Sequence, residues 1–462
     1  MPYKDLRAFL ARLEQEGHLA RVQVEVDTRF EVGAICRKVL NAFGPALLFE
    51  RPKGHSIPLL TNALGTRERY ALALETTTDK LHEEWVRRTA HPIPPIVVKN
   101  GPCKENILLG DDVDLSRLPI PVWNALDGGA YITFPCHISK DPETGERNCG
   151  MYRTMVHDRR TVGILAAPFR HIMLQRAKNP DEPFPVAIAL GLDPAIHIAT
   201  VAPFPQGTDE MSMAGALRGE PVELTPCETI PLEVPAQAEV VLEGVIPPGV
   251  LREEGLFGEF TGYYGLHGPK PVIEIKAMTF RNNAIHQAVY EGRPPNEDSV
   301  MLSVPLESEL VRLVPLPGLK RVHLGVGGCG AFNAVASIEK RFEGHGKMMG
   351  MAILGAWAGR QIKHLIIVDE DIDPSDPTQV EWALATRVQP HRDVEIIKET
   401  LGINLDPSLP KLERTTGHAR TSKIIIDATR YDASEFEIPC LPQEEAAARV
   451  ERDWDKYGIT LR

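Results

Sequence analysis

Apolar residues at helical spacing open the chain: Leu6, Phe9, Leu10 and Leu13 share one face, and Gly17 stands where a C-cap belongs. Leu19, Val22, Val24 and Val26 then read as a strand, with Asp27 as the N-cap of a helix running towards Leu40. Helical patterns recur around residues 66–90, and from there to about 130 the chain is rich in Pro and Asp and reads as irregular. Alternation in YITFPCHIS, CGMYRTMVH and TVGILAA predicts strands over 131–167, followed by FPVAIALGL, AEVVLEGVI, PVIEIKAMTF and AIHQAVY. Helices are interspersed without alternating regularly with these strands, which argues against a doubly wound parallel fold in this half. Residues 298–314 read as a helix joining two halves. Beyond it RVHLGVGG, AVASIEK, HLIIVDED and KIIIDAT read as strands, with helices at about 343–359 and 376–387, so the second half predicts a compact α/β domain starting near 315. The tail EEAAARVERDWDKYG is a charged amphipathic helix, better suited to crossing onto a neighbour than to joining a core.

The length of 462 residues predicts two or three domains with a core large enough to need no disulfides. A net charge of −12 argues against a nucleic-acid or anionic-membrane binder. No apolar run approaches a membrane span, and the charged N-terminus lacks the apolar centre of a secretory signal. Seven cysteines without any C-x-x-C fit a reducing compartment. The expectation is a cytoplasmic, acidic, multi-domain enzyme.

Candidate chemistry gathers in a few stretches. In REEGLFGEFTGYYG, Glu254 and Glu259 are five apart, which separates them on a regular strand or helix. Gly255 and Gly258 suggest a tight, non-repetitive turn that brings both carboxylates to one side; a solvated acidic loop is the commoner reading of such spacing. In RNCGMYRTMV, Asn148 and Arg153 are separated likewise, and Gly150 offers a bulge that realigns them. Arg153 is either a snorkelling surface residue or the partner of a buried charge, and the residues alone favour the surface. Asn148, His171 and Glu210 supply an amide, an imidazole and a carboxylate, a set suited to Mn or Mg, although His171 as an ordinary helix-start residue is the default. VDEDID reads as a solvated strand end followed by an N-cap at Asp376. GVGGCGAF reads as a place where backbone approaches a ligand or another strand.

Together these segments resemble the UbiD family of prenylated-FMN-dependent decarboxylases. The resemblance runs nearly end to end, through DLRAFLARLEQEGHLARV, NCGMYR, AGALRGEPVEL, EGLFGEFTGYYG, GRPPNED and DEDIDPSD. It implies a mixed α+β fold. Residues 1–297 would form a flavin-binding domain on a split β-barrel-like sheet, 298–317 a connecting helix, 318–440 a C-terminal α/β oligomerisation domain, and 441–462 a helical tail. By resemblance, Asn148, His171 and Glu210 match the ligands of a divalent metal, usually Mn2+, that bridges to the flavin phosphate, with K+ as a further ion. Arg153, Glu254 and Glu259 match the catalytic network beside the reactive ring, Glu259 at the position of the proton donor. Met151, Tyr152, Arg153 and the Ala167–Pro168–Phe169 stretch match cofactor-lining positions, and Lys347 a segment where some members place a basic residue near the phosphate. Ile403 and Leu405 match substrate-facing positions, with Asn296 as a further polar group on the substrate side. Both being apolar, an unsubstituted aromatic, heteroaromatic or enoic acid is favoured over a catechol acid. The implied partners are a carboxylic acid, CO2, further copies of the chain as a homodimer or homohexamer, and a flavin prenyltransferase that supplies the cofactor. A carboxylase running the reverse reaction and a subunit of a multi-protein carboxylase are the alternatives.

Overall fold

The computed structural model describes residues 3–168, 170–205, 207–416, 419–432 and 435–460. Its first helix, Leu6–Gln15, buries Leu6, Phe9, Leu10 and Leu13, and Asp5 caps it by accepting the Ala8 N–H at 2.9 Å. The second helix starts later than an Asp27 cap predicts: it spans Glu31–Asn41 behind Phe30. Asp27 instead accepts the Arg29 N–H, and Glu31 reaches back to the Asp27 N–H, both at 2.8 Å, which makes 27–31 a separate turn. This helix is the crossover between the parallel strands Leu19–Val26 and Ala46–Pro52. Leu59–Thr61 and His286–Gln287 complete that four-stranded sheet.

The central sheet is antiparallel. Its order is Thr161–Gly163, Gly268–Phe280, Val240–Ile246, Phe184–Leu190, Cys136–Lys140 and Arg147–Gly150, with Leu251–Glu254 and Asn106–Leu109 also paired to Gly268–Phe280. Among the described residues its two ends do not pair, so the sheet stays open rather than closing into a barrel. Phe184–Leu190 shows why its sequence is apolar throughout. Val186, Ile188 and Leu190 enter one core cluster while Ala187 and Ala189 enter another, so both faces are covered. Asn106–Leu109 is a strand inside the stretch whose composition suggests irregular chain.

The C-terminal sheet runs Leu319–Leu324, Asn333–Ile338, His364–Asp369, Arg420–Ala428 and Val394–Leu401, the middle three parallel and the edges antiparallel. The edge strand Val394–Leu401 carries no sequence signal in VEIIKETL, because most of its side chains face solvent. The helices His345–Gly355 and Pro377–Arg387 lie in this half, the second capped by Asp376, which accepts the Thr378 N–H at 2.8 Å. Gly330 in GVGGCGAF packs against the helix Glu297–Leu313: a Cβ there would sit 2.1 Å from the Ser299 carbonyl oxygen. The tail helix Glu444–Arg452 has no buried residue.

Glu297–Leu313 ties the halves together. Its Glu307, fully buried, pairs with Arg67 from the N-terminal side and accepts the Leu324 N–H at 2.7 Å from the C-terminal sheet. Its Glu309 accepts the Trp85 indole N–H at 2.9 Å. Trp85 is itself fully buried and stacks on Phe204. Trp85→Ala is therefore expected to destabilise the N-terminal half by about 3–5 kcal/mol, read as an earlier midpoint in urea unfolding followed by far-UV circular dichroism. No helix among the described residues is long and apolar enough to cross a membrane.

Candidate active site

Glu254 ends the strand Leu251–Glu254, opposite Gly268, and the chain then turns through 255–265 before pairing resumes. Close backbone approach dictates the glycines in this turn. A Cβ on Gly255 would lie 2.5 Å from the Gly128 Cα, and one on Gly258 would lie 2.4 Å from the Asn124 side-chain nitrogen. The Gly258 N–H is held by Asp127 at 3.0 Å, and the Gly265 N–H by the Phe257 carbonyl at 2.9 Å. A Cβ on Gly265 would sit 2.5 Å from Glu259 Oε1 and 2.6 Å from Arg153 Nη1, so the missing side chain makes room for that ion pair.

Arg153 follows the strand Arg147–Gly150. The register from His137–Gly150 to Lys140–Arg147 is unbroken, so no bulge realigns it; the strand simply stops at Gly150. A Cβ at Gly150 would meet the Tyr152 hydroxyl at 2.5 Å, because Tyr152 folds back over the strand end. Arg153 is thereby turned inward, with 4% of its side chain exposed, against the surface position that its neighbours in sequence suggest. Its Nε and Nη2 donate to the two oxygens of Glu254 at 3.0 and 2.7 Å, Nη1 pairs with Glu259, and Nη2 also donates to the Leu266 carbonyl at 2.6 Å. The guanidinium carbon lies 5.4 Å from the centre of the buried Phe257 ring.

The electrostatics act on Glu259 and Arg153. Burial raises the proton affinity of Glu259, Arg153 opposes it, and Glu254 adds a like charge that raises it again. Burial works against a charged Arg153, but Glu259 and Glu254 outweigh it and hold the guanidinium above its ordinary range. Two carboxylates and one guanidinium leave one negative charge, and one proton neutralises the set. Glu254 accepts two of the guanidinium N–H bonds, while burial and the charge of Glu254 push Glu259 towards its neutral form.

Further acids face this group. Glu291 is pushed well above the usual carboxyl range by burial, Asp298 and Glu259, and Asp298 likewise by burial, Glu297 and Glu259. From the C-terminal half Arg414 lowers the proton affinity of Glu259; its Nε donates to the Asn404 carbonyl at 2.9 Å. Sequence reasoning did not single out Glu291, Asp298 or Arg414. GRPPNED contains Asp298 and is the one signal; nothing local marks Arg414.

Asn148 lies on the strand Arg147–Gly150, while His171 and Glu210 are the first residues of the helices His171–Arg176 and Glu210–Arg218, both packed on that strand. Asn148 is buried and its amide nitrogen lies 3.4 Å from Ser139 Oγ. Glu210 Oε2 accepts the Cys149 N–H at 2.9 Å, and burial pushes its carboxyl up to about 8. Burial and Arg170 lower His171, leaving a neutral imidazole. A buried carboxyl pushed towards its neutral form despite Arg147, a neutral imidazole and an amide oxygen form a donor set that fits a divalent ion of the Mn type. Among the described residues no cluster of three or more His, Cys, Asp and Glu side chains has metal-binding form; this set contains only two of those types.

Met151 is half-buried, Tyr152 buried, Ala167 half-buried and Pro168 exposed; Phe169 lies outside the described residues. The Leu165 N–H donates to the Arg153 carbonyl at 3.3 Å, which brings this segment beside the arginine. Lys347 is on the helix His345–Gly355, with its ammonium 2.6 Å from Glu395 on the strand Val394–Leu401. Asn296 caps Glu297–Leu313: it accepts the Ser299 N–H at 2.9 Å and donates to the carbonyls of Phe260 at 2.8 Å and Gly292 at 2.6 Å. Its polar atoms are thus committed to fixing the 291–298 segment against the Glu259 turn. Ile403 and Leu405 are half-buried and flank Asn404, the residue that holds Arg414.

The N-terminal, Rift-related and C-terminal domain models of 3-octaprenyl-4-hydroxybenzoate carboxy-lyase match residues 10–89, 96–294 and 299–428, and the chain belongs to this UbiD family. It is similar to the UbiD-class enzyme HmfF from Pelotomaculum thermopropionicum, solved in complex with FMN, at 37% identity over 96% of this chain and 98% of that one, with a TM-score of 0.87. An evolved dimeric form of HmfF has been solved with prFMN (36% identity, 96% and 98% covered, TM-score 0.85). The closed form of Sedimentibacter hydroxybenzoicus vanillic acid decarboxylase is similar at 34% identity over 100% of both chains, with a TM-score of 0.87.

Proposed function

We propose that this chain catalyses the non-oxidative, reversible decarboxylation of an aromatic, heteroaromatic or α,β-unsaturated carboxylic acid with prenylated FMN. The observation that carries the reading is the buried Arg153 shared by Glu254 and Glu259, with Glu259 the one pushed towards its neutral form. The flavins bound in HmfF support the cofactor. Asn148, His171 and Glu210 would hold the flavin phosphate through Mn2+, with Met151, Tyr152 and Ala167–Phe169 along the ring system. The bound cofactor supplies the electron sink that no side chain offers when a C–CO2 bond breaks.

The chain's own residues do the rest. A neutral Arg153–Glu254–Glu259 set admits an anionic substrate without net repulsion. Glu259 gives its proton to the carbon that has lost CO2 and is left as a carboxylate beside Arg153, which stabilises it until a solvent proton restores the acid. In the carboxylation direction the same carboxylate accepts the proton, and CO2 concentration sets which direction dominates.

The test is to co-express the chain with a flavin prenyltransferase, record the visible spectrum and screen aromatic, heteroaromatic and enoic acids for CO2 release. Turnover that disappears in Glu259→Gln supports the reading. A protein loaded with cofactor yet inert in both directions across the panel would overturn it in favour of a non-catalytic carboxylase subunit. Specificity gives a second test. If Ile403 and Leu405 face the substrate, an added hydroxyl there goes unpaired and loses roughly 1–3 kcal/mol. A benzoate-type acid is then turned over faster than its dihydroxy derivative, and the opposite ranking in kcat/KM rejects this account of the pocket.

A further inference from the structure

At the Glu259 turn several acids share one guanidinium, and two of them are not paired with it. Glu254 and Glu259 take Arg153, whereas the side chains of Glu291 and Asp298 have no ion pair or hydrogen bond among the described residues. The backbone brings them there. Asn124 Nδ2 donates to the Glu291 carbonyl at 3.3 Å and is the atom that a Cβ on Gly258 would strike at 2.4 Å. A Cβ on Gly262 would lie 2.8 Å from the Arg293 Cα, and Asn296 ties the Phe260 and Gly292 carbonyls together. Residues 258–262 and 291–296 are thus packed backbone against backbone, and Asp298 follows on the first turn of Glu297–Leu313.

Both acids differ from ordinary surface carboxylates. Each is half-buried, and Asp298 Oδ2 is sealed from solvent without a donor, a setting that disfavours the charged form. Glu259 and Asp298 add like charge to Glu291, and Glu259 and Glu297 add it to Asp298, so both hold their protons more tightly. Arg153 opposes this at Glu291 but already serves two carboxylates. The neighbouring acids are otherwise engaged. Asp127 accepts the N–H groups of Trp123, Asn124 and Gly258, and Glu297 accepts that of Leu64 at 2.6 Å. Glu259 is 4% exposed, so solvent has little access to it, while half-buried Glu291 and Asp298 are in reach of water.

We propose that Glu291 and Asp298 are a proton relay that reloads Glu259 after each turnover. This rests on Glu259 as the proton donor and goes beyond it by naming where the next proton comes from. Once Glu259 has protonated the substrate carbon, it is a carboxylate beside two neutral acids. An O–H bond of that pair breaks, one forms on Glu259, and the negative charge moves to the pair, whose two carboxyls then share one proton. A proton from solvent restores it. One solvent proton enters for each CO2 released, so charge and atoms balance. Glu291 and Asp298 touch no substrate in this scheme; they act through Glu259.

Rapid-quench kinetics on the full-length, cofactor-loaded chain tests this, with the acid of the screening panel that wild type turns over fastest. Glu291→Gln and Asp298→Asn keep shape and polarity but cannot pass a proton on. Because Glu259 starts loaded, the first product per site should form at the wild-type rate, and later turnovers should slow about tenfold or more. In the steady state kcat falls while kcat/KM is unchanged, a split that a general packing defect would not produce. Glu259→Gln instead loses the first turnover, so failure of the donor assignment is seen separately. A second readout needs no turnover: infrared difference spectra of the cofactor-free proteins at neutral pH should show a protonated-carboxyl band in wild type that each variant lacks. The relay is overturned if both variants cycle like wild type, if the first turnover slows as much as the later ones, or if neither variant loses a protonated-carboxyl band.

Discussion

Glu259→Gln is expected to lower decarboxylation by about 10²–10⁴-fold, the usual worth of a positioned general acid, while flavin binding persists. Gln keeps the size of Glu and still faces Arg153, but it has no proton to give. The expectation rests on which carboxyl holds the proton. Glu254 takes two guanidinium N–H bonds at 3.0 and 2.7 Å, whereas burial and Glu254 itself push Glu259 towards the neutral acid. Glu254→Gln should also impair turnover, but by releasing Arg153 rather than by removing the proton. Hydrogen exchange separates these roles. In D₂O, loaded wild type should exchange the vinylic or ring hydrogen of a non-carboxylated product analogue, and Glu259→Gln should bind the same cofactor without exchanging. Exchange at the wild-type rate would assign the proton to another group, with Glu291 and Asp298 the nearest alternatives by charge.

Much of the architecture is legible in the pattern of side chains, and the exceptions share a cause. Phe184–Leu190 is readable because both of its faces are buried, so every position must be apolar. Val394–Leu401 is not, because an edge strand with solvent on most of its positions leaves no periodic trace. The site follows the same rule. Gly255 and Gly258 mark a sharp turn in the chain, but that the turn closes on Arg153 depends on Gly128, Asn124 and Asp127, more than a hundred residues earlier. Arg153 looks like a surface residue until the strand is seen to stop at Gly150, after which Tyr152 and Arg153 are buried. Asn148, His171 and Glu210 have no local spacing because they come from one strand and two helix starts; motif resemblance, not periodicity, picks them out. The charge of Arg414 acts on Glu259 from the other half of the molecule, and short-range patterns hold no record of such an influence.

Glu210→Ala is expected to purify with little metal and little flavin while remaining folded. The carboxyl is buried, accepts the Cys149 N–H at 2.9 Å, and is driven up to about 8 by desolvation. A group in that state gains most when a divalent cation arrives, because the cation supplies the compensation that burial removes. Removing it leaves Asn148 and His171, an amide and a neutral imidazole with no negative charge between them, to hold a dication beside a phosphate. Loss of the acceptor strands one backbone N–H at about 1–3 kcal/mol, but it also removes a buried acid, so the apo fold should survive. Glu210→Gln keeps an oxygen for Cys149 and isolates the charge: it should match wild type in stability without metal yet still lose the ion. If an ion is held there by the folded chain alone, a chelator should lower the melting temperature of loaded wild type and leave both variants unmoved. Metal analysis and flavin absorbance on the purified proteins decide the point. Full flavin occupancy in Glu210→Ala would remove Asn148, His171 and Glu210 from the cofactor site and require the phosphate to be held by other residues.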